Sequence, residues 1–172
     1  MKRRDFLKTV SAAAATTILI PRRAIASARK IEWIRKSSSR GQLPVPSTSR
    51  EQTGDVIGRF DKDSPATDFA ISDRVCGPAL VWYRRMPTGV WDRYIVENEF
   101  VPLEAGGTTF DVDGDGNLDI IFGEDYEGNK VYWWENPYPN FDPNVPWKRH
   151  IIKDSGAHQH HDMICADIEG TG

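Results

Sequence analysis

Between Asp111 and Asp119 the sequence reads Asp-Val-Asp-Gly-Asp-Gly-Asn-Leu-Asp, with carboxylates at the first, third, fifth and ninth positions of a loop containing two glycines. Oxygen donors at alternate positions of a tight loop converge on a hard cation such as calcium. The expected donors are the side chains of Asp111, Asp113, Asp115 and Asp119 and the backbone carbonyl of Asn117. Gly114 and Gly116 allow the positive φ angles that wrapping a cation requires. An EF-hand would place a bidentate Glu at the twelfth position and helices on both sides. Here the twelfth position is Phe122, and the flanks, residues 106–110 and 118–123, read as strands. The plain alternative is an acidic glycine-rich turn without metal, although turns seldom carry four carboxylates in this pattern.

A second constellation comprises His160, His161 and Asp162, which a 56-residue offset sets opposite Glu104, Ala105 and Gly106. Imidazole titrates near neutral pH and is a common ligand of transition metals. Glu104, His160 and His161 are therefore candidates for proton exchange with a bound sugar, and His160, His161 and Asp162 for a second divalent metal such as zinc. His158 lies close by in sequence. The duller reading has these histidines capping a strand or facing solvent. Asp61, Asp63 and Asp68 resemble the central loop, but Pro65 takes its fifth position and Lys62 adds positive charge, which argues against metal there. Asp167 and Glu169 open a further copy of the pattern.

These loops recur because the chain repeats. Phe60-Asp61-Lys62-Asp63, Phe110-Asp111-Val112-Asp113 and Ala166-Asp167-Ile168-Glu169 fall into register at offsets of 50 and 56 residues. Val81-Trp82-Tyr83 matches Val131-Tyr132-Trp133 at the offset of 50, and Trp91 to Val96 matches Trp147 to Ile152. Each unit offers four β-prone segments: near 55–60, 67–72, 79–85 and 91–96, then 106–110, 118–123, 130–135 and 147–153. Another first strand is expected near 162–166, and one more strand around Ile31-Glu32-Trp33-Ile34. The expected fold is all-β: a partial β-propeller of about two four-stranded blades plus the first strand of a third. Trp82, Trp91, Trp133, Trp134 and Trp147 recur with the repeat, which favours packing between sheets over exposed sugar platforms.

A calcium loop joining two short strands resembles the FG-GAP or VCBS repeat of secreted β-propellers, on the residues from Phe110 to Gly123. Leu43-Pro44-Val45-Pro46, Gly77 to Arg85, Glu104 to Thr108 and Trp133 to Pro137 extend a similarity to the propeller of aldos-2-ulose dehydratases over most of residues 43–172. That resemblance implies action on oxidised sugars with a metal in the site and cupin-type domains after the propeller; no cupin is read in these residues. Dehydratase- or lyase-like chemistry and carbohydrate binding are both consistent with it. A protein–protein adhesion module without catalysis is the alternative, because one fold hosts many functions.

The N-terminus carries Lys2-Arg3-Arg4-Asp5-Phe6-Leu7-Lys8, a charge-free stretch from Thr9 to Ile20, and Ala26-Ser27-Ala28. This resembles a signal for the twin-arginine export machinery, with a periplasmic or extracellular destination. The 12-residue stretch is shorter than the roughly 20 residues that span a bilayer, so no membrane anchor is expected after cleavage. The expected divisions are a signal peptide at 1–28, a proline- and serine-rich lead-in at 29–54, and blades at 55–172 that break off within a loop, as in a truncated reading frame. Loss of residues 1–28 lowers Lys+Arg from 22 to 16 and Asp+Glu from 25 to 24, a net charge of about −8 that disfavours nucleic acid. An oxidising compartment allows a disulfide between Cys76 and Cys165; two small residues on strands is the equal alternative.

Overall fold

The computed structural model describes residues 31–64 and 66–170. The residues expected to form the export signal lie outside the described ones. The chain divides into two units, Met1–Ile34 and Arg35–Gly172. In the first, residues 31–34 carry no regular secondary structure, and Ile31, Trp33 and Ile34 are exposed. The strand expected there is therefore corrected to coil, since no neighbouring chain offers it a ladder.

The second unit is all-β apart from a short 3-10 turn, Ser38–Arg40. Strands β1 (Gln52–Gly58), β2 (Asp68–Asp73), β3 (Leu80–Arg85) and β4 (Trp91–Glu97) form one antiparallel sheet in sequence order. Strands β5 (Thr108–Phe110), β6 (Asp119–Gly123), β7 (Val131–Glu135) and β8 (Lys148–Lys153) form the second in the same way. The first strand begins at Gln52, inside the expected lead-in. Residues 162–166 form no strand. Just before them the backbone bonds to loops instead: Gln159 N donates to Gly128 O (3.1 Å) and His160 N to Glu124 O (3.1 Å). Among the described residues no helix is long and apolar enough to cross a membrane.

Corresponding positions in the two sheets are fixed by their hydrogen bonds. Asp73 N donates to Ala79 O (2.8 Å), as Glu124 N donates to Lys130 O (2.9 Å). A register shift falls between Leu80 and Val81 in one sheet and between Val131 and Tyr132 in the other. Trp82 therefore corresponds to Trp133, one residue further on than the sequence alignment at offset 50 places it. The reason is local: the loop from Asp111 to Asp119 is one residue longer than that from Asp61 to Asp68.

With that register the two sheets stack front to back. Val56, Ala70, Trp82 and Tyr94 are cross-strand neighbours on the front of the first sheet. They share one buried cluster with Ile120, Phe122, Tyr132 and Trp134, which lie on the rear of the second. Phe60 wedges between Trp82 and Trp147, edge to face at 6.2 and 6.0 Å. Rear residues Phe69, Tyr83 and Trp91 of the first sheet pack on one another at 4.8 and 5.0 Å, and their counterparts Ile120, Trp134 and Trp147 sit in the interface. Burial of these large side chains is the main favourable term holding the sheets together.

The lead-in closes the rear of the first sheet, where Tyr83 OH donates to Pro44 O (2.7 Å) and Arg93 Nη1 to Pro46 O (2.9 Å). Asp73 anchors it further, accepting from the Ser47 and Ser49 hydroxyls, from Val75 N (2.9 Å) and from Cys76 N (3.1 Å). Burial pushes this carboxyl up, and those four donors outweigh it, holding it below its ordinary value of 3.8. Cys76 and Cys165 are both free thiols.

Candidate metal centre

The loop between β5 and β6 folds around its own carboxylates. Asp111 accepts from Gly114 N (2.9 Å) and Gly116 N (2.8 Å), Asp113 from Asp115 N (3.2 Å), and Asp115 from Asn117 N (2.7 Å). Gly114 and Gly116 have φ of 77° and 83°, a region that other residues rarely enter. The chain is thus bent so that one ligand oxygen from each of Asp111, Asp113 and Asp115 lies within 4.8 Å of the others. Among the described residues this is the one group of three or more His, Cys, Asp or Glu that converges in this way.

Asp119 braces the loop from below. It is buried, and its two oxygens accept from Val112 N (2.9 Å) and Asn136 N (2.9 Å), tying the loop entry to the end of β7. Burial, against the pull of the two N–H donors and with the charges of Asp113 and Asp115 adding to it, leaves its pKa raised to about 6. Asn117 is also buried, and its side-chain oxygen has no partner. An all-oxygen donor set, an unsatisfied amide oxygen and carboxylates that repel one another fit a hard dication, which would offset that repulsion. Of the five expected donors, three carboxylates converge, Asp119 stands near enough to feel their charge, and Asn117 forms the loop exit.

The second constellation is brought together only in part. Glu104 is buried and accepts from Arg74 Nη2 (2.9 Å) and Ala105 N (2.8 Å). The same guanidinium reaches Asp125 Oδ2 at 3.3 Å. Asp125 is held below its ordinary value, first by its neighbour Glu104 and then, against some burial, by Tyr126 N and the charges of Arg74 and His161. His161 and Asp162 lie 3.3 Å apart, ring Nδ1 to carboxylate, and both crowd the space a side chain at Gly106 would fill. Glu104, His161 and Asp162 thus share one corner. His160 leaves it: its ring meets Lys153 Nζ at 3.2 Å and its Cβ rests on Gly123.

Arg74 and Asp125 are missing from the sequence-derived set, yet the repeat signals them. Arg74 directly follows β2 and Asp125 lies two positions after the end of β6, each one position beyond the matching residues Asp73 and Glu124. The tryptophans mostly pack: Trp82, Trp134 and Trp147 are buried. Trp133 stacks on His150 at 4.2 Å, and that ring bonds Glu135 at 2.8 Å. No protein-family model, curated protein or solved structure matches this chain.

Proposed function

We propose that these two sheets are consecutive blades of an exported, calcium-stabilised β-propeller of the FG-GAP or VCBS kind, and that the protein acts on or binds carbohydrate. The observation that carries the reading is the stacking of the front of one sheet on the rear of the next. A two-fold sandwich would pack like faces together, whereas a ring of blades repeats one front-to-rear interface. The front of the second sheet supports continuation of the series: Phe110 and Ile152 are exposed there, while Phe60 and Val96, their counterparts by sequence, are buried. Calcium at Asp111, Asp113, Asp115 and Asp119 would fasten the β5–β6 corner.

Carbohydrate is the proposed ligand because the corner of Arg74, Glu104, Asp125, His161 and Asp162 offers both donors and acceptors to hydroxyl groups. Ion pairing with Arg74 commits Glu104 to positioning, so His161 and Asp162, both exposed, are the residues of this corner open to a ligand. Titration of the isotope-labelled protein with neutral mono- and oligosaccharides tests the reading. Amide shifts at residues 104–106, 125 and 161–162 are expected. Shifts with none of the sugars would overturn the carbohydrate reading and favour adhesion to protein.

A further inference from the structure

We propose that Arg84 is a built-in cation that closes the first acidic loop without metal, so that calcium dependence is confined to the second sheet. Asp61 is almost fully buried, and one of its oxygens accepts from Arg84 Nε (2.8 Å) and pairs with Arg84 Nη2 (2.5 Å). Its other oxygen accepts from Asp63 N (2.9 Å), a turn bond across two residues of the kind that Asp113 accepts from Asp115 N one step further along the second loop. Arg84 is fixed from behind by Tyr94 OH (3.2 Å) and lies over the Phe141 ring at 5.4 Å. Asp63 is engaged as well, accepting from Tyr138 OH at 3.1 Å. A positive group therefore already sits on the carboxylate that corresponds in sequence to Asp111.

The second sheet lacks this device. The position corresponding to Arg84 is Glu135, an acid, and its carboxylate turns to Lys148 (3.0 Å) and His150 (2.8 Å). Among the described residues no Lys, Arg or His pairs with Asp111, Asp113 or Asp115. Lys62 Nζ comes to 3.4 Å from the point a Gly116 Cβ would occupy, with its charge over the Tyr138 ring at 5.6 Å. Removing one partner of a buried ion pair strands the other, so the first corner should fail with its arginine just as the second fails with its metal. The contrast between the corners rests on the calcium reading; the role of Arg84 does not.

Hydrogen exchange of the full chain, with calcium and with chelator, reads both corners at once. In the unmodified protein, calcium should raise protection of residues 108–121 by about tenfold or more and leave residues 56–70 within about twofold. Arg84→Met should lower protection of residues 56–70 by about tenfold, equally in both conditions. Asp61→Asn, which leaves the arginine and removes only the charge it meets, should act in the same direction and guards against a misfolded Arg84 variant. Calcium-dependent protection of residues 56–70 in the unmodified protein, or unchanged protection in both variants, would overturn the proposal. Loss of protection in the variants with no calcium effect anywhere would sink the calcium reading and leave the arginine assignment standing.

Discussion

Trp82 and Trp133 occupy the same position in successive sheets, paired with Tyr94 and His150 respectively, yet Trp82 is fully buried and Trp133 is only half-buried. The difference is the neighbour. A second sheet covers Trp82, and the ring of His150 lies against Trp133. Truncating the two side chains should separate these environments. Trp82→Ala should cost about 3–5 kcal/mol, the range for a large aromatic removed from a core. Trp133→Ala, at a half-buried position, should cost about half as much, roughly 2 kcal/mol. Denaturant unfolding of both variants checks the order; equal losses would place the two tryptophans in like environments and contradict the front-to-rear stacking.

Asp73 should make the attachment of the lead-in sensitive to acid. Its carboxyl is held below the ordinary value, so its contribution is fully present above the unfolded value of 3.8 and is lost as pH falls through the lower folded value. Asp73→Asn should cost about 1–3 kcal/mol at neutral pH, as hydrogen bonds to a charged group do. It should also flatten the stability profile below pH 4. Thermal unfolding across pH 2 to 7 checks this, and a variant with the same acid slope as the unmodified protein would refute the role given to Asp73.

Export is tested on the first 28 residues. Fused to a reporter that folds before crossing the membrane, they should direct it out of the cytoplasm, and Arg3→Lys with Arg4→Lys should stop it. Export undiminished in the double variant would exclude the twin-arginine route.

The eight strands were legible in sequence because periodic apolar residues and turn formers repeat at a fixed spacing, and that spacing was visible in the aromatic residues. The one-residue error in matching Trp82 arose because the acidic loop lengthens by a residue between its second and last aspartates while its opening Phe-Asp-x-Asp stays the same, and hydrogen-bond register follows the ladder and not the loop. The strand expected at 162–166 was read from its likeness to the start of earlier units; a strand needs a partner ladder, which sequence similarity cannot supply. In the candidate sites, the convergence of Asp111, Asp113 and Asp115 was written in their spacing. The separation of His160 from His161 was not, because Lys153, nearby in sequence but on the outer strand, captures the first ring through space. Arg74 was overlooked for a similar reason: its role depends on Glu104 and Asp125 meeting it from two other segments.

Calcium titration calorimetry on the folded chain, alongside Asp113→Ala, tests the central claim most directly. The account predicts one calcium ion per chain, bound through oxygens alone, with affinity at least about tenfold weaker in the variant as one of the three converging carboxylates is lost. Absence of calcium binding to the folded protein, or equal affinity in the two, would contradict it.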